Sequence, residues 1–426
     1  MIQYLYVGGK PITWERNKKD EIMKRPFRSN RAVVTLIIAF GILAGSAIHA
    51  AAETRYATPV RITPHVDVRG VYDSNFFRTS DNEESDIYIN AQAGLSLSYI
   101  GTQTDASASV FASARRYDEF DDNDFETIGQ SLRLRYGTRD TVRIEASQSY
   151  RRVTEEDTLS SEIAIGGVSP DSALDTATSA KRDILQAAMV VGIDPTEKMQ
   201  LDLSYRFDFV DYSSRDLDKI TTQTGGLEGA FRMTDKSSGI ILARYSIQDS
   251  DGLDDSADSI NTQAGVKTES TDKLTLRATA GYQRYNRPGD LSSEDTFAFD
   301  VRAVLIATDK LQFLAGSRNG TQLSAIIRGN SADYAIYYVG ARMKATDSFR
   351  LSATASYRED EYIDPVIING VPTDRTDKGT GVNLRADYLA PSRYVSLYTQ
   401  LTFNAIESPT GDYDRTQISA GIRLEY

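Results

Sequence analysis

The chain has 426 residues, with 48 Lys+Arg against 60 Asp+Glu, a formal net charge of −12, two His and no Cys. The absence of Cys excludes a disulfide framework, thiolate metal sites and a cysteine nucleophile, and two His leave little room for zinc sites or Ser-His relays. The acidic balance sets the chain against a nucleic-acid backbone. A 40% apolar fraction argues against a bundle of transmembrane helices but admits a membrane β-barrel, whose strands are only half apolar.

The first element is a leader. Lys24, Arg25, Arg28 and Arg31 precede the apolar run Ala32–Ala44, and small residues follow down to Ala50-Ala51-Ala52. The run is short for a membrane helix, which needs ~20 residues. The basic, apolar and A-x-A regions together predict a secretory signal peptide over 1–52, cleaved after Ala52, with one domain over 53–426. An uncleaved anchor is the alternative. Residues 1–22 make the basic region unusually long, and Met23-Lys24-Arg25 reads as an ordinary start, so translation is expected to begin at Met23. Removing the leader's eight basic and three acidic residues leaves 40 and 57, a net charge of −17. Trp14 and His49 go with it, and His65 becomes the sole histidine.

After residue 53 period-2 alternation recurs in place of amphipathic helices. Ile87, Ile89, Ala91, Ala93, Leu95, Leu97 and Tyr99 alternate with polar residues. So do Leu201, Leu203, Tyr205, Phe207 and Phe209, and Phe349, Leu351, Ala353, Ala355 and Tyr357. Each segment has one apolar and one polar face. Short polar turns repeat between them: Thr234-Asp235-Lys236, Thr271-Asp272-Lys273, Thr308-Asp309-Lys310 and Thr346-Asp347-Ser348, with variants at Thr138–Asp140, Thr196–Lys198, Pro391–Arg393 and Gly101–Asp105. Tyr245, Tyr282 and Tyr357 each follow nine residues after such a turn. This self-similarity marks a repeated hairpin.

The opposite strand ends meet in longer acidic segments, such as Asp118–Asp124, Glu155–Ala180, Asp249–Asp258 and Arg358–Lys378. Short turns at one end and long loops at the other are the asymmetry of an outer-membrane barrel, with turns toward the periplasm. Eight short turns separate nine strand pairs. The predicted fold is therefore all-β, a transmembrane antiparallel up-and-down barrel of about 18 strands. Ile128–Tyr136 and Leu311–Ala341 have the least regular patterns, so 16 stays open. The repeat tyrosines, with Tyr99, Tyr136, Tyr150 and Tyr205, suit the interfacial aromatic girdles. The last strand alternates Ile418, Ala420, Ile422, Leu424 and Tyr426 with polar residues and ends on the aromatic, which resembles the signal read by the barrel-assembly machinery. A soluble β-sandwich would alternate too, but would bury larger branched residues between two sheets.

Strand parity assigns the inward face. Arg143, Asp202, Arg206, Arg244, Arg277, Asp300, Arg302, Arg350, Arg385 and Arg423 become candidate lumen-lining residues. Charged rings set the preference of a pore, and an excess of Arg suits anionic or hydroxyl-rich solutes. Equally, these arginines could pair with inward carboxylates and hold the barrel's shape. Loops Glu155–Ala180 and Arg358–Lys378 are candidates to fold inward, or else external loops. The cluster Asp121-Asp122-Asn123-Asp124 lacks the alternating ligands, Gly and distal Glu of a calcium loop, so it reads as solvated charge. His65, the one mature proton-exchanging candidate near neutral pH, follows Pro64 on the first strand. No catalytic, metal or cofactor site is expected, and the chain is read as a non-enzyme.

The segment Val66-Asp67-Val68-Arg69-Gly70-Val71-Tyr72-Asp73-Ser74-Asn75-Phe76-Phe77-Arg78 resembles the opening of the putative β-barrel porin 2 family, a strand ending in Tyr-Asp-x-Asn before apolar residues. The turns and terminal Tyr fit the same pattern over most of 60–426. Asp73 and Asn75 themselves suit a polar corner. The resemblance implies a bacterial outer-membrane barrel, often found with systems that make or export surface polysaccharide. The expected function is porin-like passive passage of small hydrophilic solutes through a polar, Arg-bearing lumen. The alternatives are an outer-membrane component of exopolysaccharide export or biosynthesis, and a structural or adhesive protein with a plugged lumen. Expected partners are outer-membrane lipid and lipopolysaccharide, the assembly machinery and polysaccharide-export components, with no nucleic acid.

Overall fold

The computed structural model describes residues 6–7, 10–11, 60–79, 83–121, 124–137, 142–154, 181–212, 219–250, 256–271, 273–287, 293–323, 330–368, 370–392 and 394–426. The apolar run, the cleavage site at Ala52, Met23 and loop Glu155–Ala180 lie outside the described residues.

Alternation is realised as strands throughout. In chain order they are β1 (Val60–Asp73), β2 (Asp86–Ile100), β3 (Thr104–Tyr117), β4 (Phe125–Gly137), β5 (Val142–Thr154) and β6 (Lys181–Thr196). Next come β7 (Met199–Tyr212), β8 (Ile220–Thr234), β9 (Ser237–Ser250), β10 (Ala257–Thr271), β11 (Leu274–Asn286) and β12 (Glu294–Thr308). The last are β13 (Leu311–Leu323), β14 (Ser331–Lys344), β15 (Phe349–Tyr362), β16 (Thr376–Leu389), β17 (Val395–Glu407) and β18 (Tyr413–Glu425). Each pairs antiparallel with its chain neighbours. β18 returns to β1 from Gln417↔Asp73 to Glu425↔His65, closing a barrel of 18 strands. The two least regular segments are both in it, as β4 and as β13 with β14, which removes the 16-strand alternative. Among the described residues no helix is long and apolar enough to cross a membrane.

Register fixes the two faces. Val60, Ile62, Val66, Val68 and Tyr72 stand opposite Tyr99, Leu97, Ala93, Ala91 and Ile87, and the same row passes around the barrel. Most of these side chains are exposed, and elsewhere in the row Leu203 is exposed by 60% and Ile241 by 71%. Such a belt faces lipid in a closed barrel, where every backbone group is paired within the sheet. Strands of 13 to 16 residues exceed the ~9–11 needed to span the hydrocarbon. On the loop side the outward row turns charged, with Arg152 two residues beyond Tyr150, Arg284 beyond Tyr282 and Glu359 beyond Tyr357. Tyr205, Tyr245 and Tyr282 are exposed below that rim, and Tyr99 and Tyr136 near the turns, so the outward tyrosines gather at two levels.

The repeated turn has a chemical cause. The threonine Oγ1 accepts a hydrogen bond from the backbone N–H two residues on: Lys198 to Thr196 (3.3 Å), Lys236 to Thr234 (3.2 Å), Lys273 to Thr271 (3.2 Å), Lys310 to Thr308 (3.2 Å) and Ser348 to Thr346 (3.3 Å). A side chain thus mimics a backbone turn. The turn carbonyls are used as well: Lys198 O accepts from Arg232 N and Lys236 O from Glu269 N, which ties each turn to the next hairpin.

Candidate functional site

The inward face carries the polar residues, and two halves of it differ. Near the loops inward side chains are buried: Val71 and Asp73 on β1, Phe125 and Thr127 on β4, Tyr285 on β11, Arg358 and Asp360 on β15, Arg415 and Gln417 on β18. Toward the turns, inward residues on the same strands are exposed: Arg61, Ser131, Arg133, Arg135, Thr275, Arg350 and Arg423. Lys267 on β10 and Arg302 on β12 share that exposure. β9 departs from the trend. Ile240 and Leu242 near its turn are buried, on strands that the Arg277–Glu228 bridge spans.

Three buried arginines in the loop-side half each hold a carboxylate. Arg358 donates to Asp360 from Nε (2.8 and 3.1 Å), Arg375 to Asp377 from Nε (2.9 and 3.0 Å), and Arg415 to Asp73 from Nε (2.9 and 3.0 Å). A buried ion needs such a partner. Two of these pairs sit two residues apart on one strand, or just before it, where side chains share a face.

The Tyr-Asp-Ser-Asn corner does more than turn the chain. Asp73 and Asn75 are fully buried. Asp73 also accepts from Gln417 (3.2 Å). Asn75 Nδ2 donates to Thr79 O (2.9 Å) and Asp414 O (3.0 Å), and its Oδ1 accepts from Thr79 N (3.1 Å). The corner therefore clasps the first strand to the last. Phe76 then stacks on Phe120 at 5.1 Å and meets Tyr117 edge-on at 4.9 Å, joining Val71, Tyr88 and Phe125 in an apolar cluster at the loop-side mouth. Arg115 lies between the Tyr88 and Phe125 rings, 4.6 Å from each.

All ten candidate lumen residues lie on the inward face. Six are paired. Arg143 Nη2 grips Asp202 (2.9 and 3.0 Å), Arg206 donates to Asp208 (2.8 Å), and Arg277 donates to Glu228 through two bonds of 2.8 Å. Arg385 holds Asp387 (2.9 and 3.0 Å) with its guanidinium 4.2 Å from the Tyr398 ring, and Arg423 donates to Asp67 (3.1 Å). Asp300 stands between Thr279 and Arg318. Arg244, Arg302 and Arg350 form no ion pair among the described residues. Arg133 and Arg135, absent from the candidates because β4 patterns weakly, border two separate cavities. Arg133 borders one of roughly 450 Å³, with Ser107, Ser131, Ser149, Gln186 and Arg206, and Arg135 borders one of roughly 240 Å³ at the turns, with Asp105, Arg143 and Asp194. Glu228 and Lys267 were missed too, though parity from Leu227 and Val266 would place both inward.

His65 is inward, its ring against Gly94, where a Cβ would come within 2.4 Å of it. Of loop Arg358–Lys378, both ends are strand. Its middle is a hairpin, Val366–Ile368 with Val371–Thr373, whose Ile367 and Val371 are exposed. Its buried members are Arg358, Asp360, Tyr362, Arg375 and Asp377, so the loop contributes to the interior through its strand-end residues rather than its tip. Asp122 and Asn123 lie outside the described residues. Asp124 accepts from Tyr117 N (2.8 Å), and among the described residues no acidic or His cluster could hold a metal. At the C-terminus Ile418, Ile422 and Leu424 face outward and exposed, and Tyr426 stacks on Tyr394 at 4.8 Å.

Comparison with known proteins agrees with this architecture. The model of the family described as Putative beta-barrel porin 2 matches residues 60–184, from β1 into β6. The protein is a β-barrel of the bacterial outer membrane. Among solved structures, the outer membrane protein opdK from Pseudomonas aeruginosa is 10% identical over 86% of this chain and 99% of its own, TM-score 0.45. Pseudomonas aeruginosa OpdQ is 12% identical over 85% and 98%, TM-score 0.45. Acinetobacter baumannii OccAB4 is 12% identical over 86% and 98%, TM-score 0.45. No curated protein matches.

Proposed function

We propose that this porin-like barrel passes small hydrophilic solutes passively, with a preference for anions, through a lumen whose selectivity is set by turn-side arginines. The observation that supports this is the exposure of Arg244, Arg302 and Arg350 on the inward face with no ion pair at contact distance among the described residues. Exposed charge of one sign raises the local concentration of the opposite ion. The paired arginines, Arg143, Arg206, Arg277, Arg385 and Arg423, chiefly hold the wall. The reading involves no catalysis and no cofactor. Ile418, Ile422, Leu424 and Tyr426 serve as the assembly signal for the outer-membrane machinery. Single-channel recording in planar bilayers tests the reading. Openings with an anion-shifted reversal potential are expected, and Arg244→Glu with Arg350→Glu should weaken or reverse the shift. Unchanged selectivity would remove the role given to the arginines, and no openings would remove the channel.

One observation favours a second reading. The interior is more open on the turn side than on the loop side, which suits a component loaded from the periplasm, such as one that exports an exopolysaccharide. Deletion of the gene should then abolish secreted polysaccharide.

A further inference from the structure

Lys267, Arg277 and Arg302 stand opposite one another across consecutive strand pairs, Lys267↔Arg277 between β10 and β11 and Arg277↔Arg302 between β11 and β12. Like charges set directly across a strand pair weaken the pairing. A row of three needs compensation, and a single carboxylate is hydrogen-bonded to it, while Asp300 acts on Arg277 and Glu228 on Lys267 only through space. Glu228 on β8 takes both bonds from Arg277, which spans β9 and β10 to make them. Asp300 is one inward position farther along β12, opposite Arg318. Glu269 is one inward position nearer the turn on β10. Neither pairs with Lys267 or Arg302.

The outer two cations are thus left over. Lys267 and Arg302 are exposed to the turn-side interior and make no ion pair or hydrogen bond among the described residues. With strands ~4.8 Å apart, their Cα atoms are roughly 10 Å apart, on either side of a neutralised Arg277. Beyond Arg302 the row continues with Gly316, and the Tyr338 ring covers it, with Cζ 2.4 Å from where a Cβ would stand. The wall beside Arg302 is therefore an aromatic ring rather than another charge.

We infer that this row is an anion-binding station, built to take a solute carrying at least two oxyanion groups, carboxylate or phosphate, from the periplasmic side. Lys267 and Arg302 each hold one group, and the Arg277–Glu228 bridge keeps the row in place without competing for the solute. Strong charge-assisted hydrogen bonds to two separated groups select multivalent anions over chloride. This rests on the channel reading only in requiring that solute reach the interior, and binding is measurable without conduction.

Calorimetric titration of the full-length barrel in detergent at low salt is the test. Citrate probes the carboxylate class, pyrophosphate the phosphate class, and maltose serves as an uncharged control. At least one anion should bind and maltose should not. Lys267→Gln with Arg302→Gln should weaken the affinity by about tenfold or more, near 1.4 kcal/mol. The charge-preserving Lys267→Arg should retain it, and Arg61→Gln, an exposed inward arginine on β1, should leave it within about twofold. A heat-shifted gel mobility like the parent's shows that each variant is folded, and the single Arg302→Gln stands in should the double variant fail that check. The station is overturned by anion affinity that survives the double variant, by equal loss in Arg61→Gln, or by no anion binding at all. Bilayer recording on the same preparations separates the two readings: binding without conductance defeats the channel, and conductance without binding defeats the station.

Discussion

The loop-side and turn-side halves of the barrel interior use the same residues to opposite ends. On the loop side Arg358, Arg375 and Arg415 are buried, each with both a carboxylate and a fixed geometry. On the turn side Lys267, Arg302 and Arg350 are exposed and form no ion pair among the described residues. Burial makes the difference. A buried guanidinium without its carboxylate would carry the full cost of desolvation, whereas an exposed one keeps its water. Arginine on the inward face is therefore bound to a partner where the lumen is filled, and can stand without one, as Arg302 and Arg350 do, where it is open.

The largest effect is expected at the clasp between β1 and β18. Asp73→Ala leaves Arg415 buried and uncompensated, in the one seam that joins residues 342 apart in sequence. Loss of one member of a buried pair costs about 3–5 kcal/mol. Chemical unfolding of the lipid-embedded barrel should show a loss of that size, with the heat-shifted gel form appearing at lower temperature. A change under about 1 kcal/mol would mean that the pair behaves as a surface ion pair, and the contrast between the halves would fail. Arg358→Met tests the same idea within one strand. It should cost roughly 3 kcal/mol, and adding Asp360→Leu should restore most of it, because the orphaned charge is then removed.

The turn side should respond in the opposite sense. Arg302→Gln and Arg350→Gln are expected to change stability by no more than about 0.5 kcal/mol, yet to reduce anion preference in reversal-potential measurements. That preference should also fade between about 0.1 and 1 M salt, as the screening length shortens from ~10 to ~3 Å. A stability loss like that of Arg358→Met would show that these side chains are held by the wall after all.

How much of this was legible in sequence follows from the range of each interaction. Period-2 alternation gave the strands, the Thr-x-Lys repeat gave the turns, and parity placed Arg206 and Arg302 on the inward face, since each depends on neighbours within a few residues. Arg-x-Asp runs such as Arg358-Glu359-Asp360 and Arg385-Ala386-Asp387 were readable as same-face pairs for the same reason. The clasp was not. Asp73 and Asn75 read as a corner because Arg415, Gln417 and Asp414 come beside them only when the barrel closes. Arg277 likewise gave no sign that its carboxylate lies three strands away on Glu228. The division of the interior into filled and open halves depends on loop residues such as Phe76 and Phe120, whose packing no local pattern encodes.

The smallest effect belongs to the turns themselves, and it bounds the comparison from the other side. Thr271 Oγ1 accepts two backbone hydrogen bonds, from Lys273 N at 3.2 Å and Leu274 N at 3.0 Å, whereas a single such bond, from Lys198 N at 3.3 Å, is seen at Thr196. These groups are exposed, so water replaces the lost acceptor when the hydroxyl is removed. Thr271→Ala should cost about 0.5–1 kcal/mol, and Thr196→Ala should cost less. Both belong well below the clasp variant in the same unfolding assay, because the turn loses a hydrogen bond in water while the clasp leaves a charge without it. If Thr271→Ala instead matched Asp73→Ala, the stability of the barrel would lie in its repeated hairpins rather than in the seam that closes them.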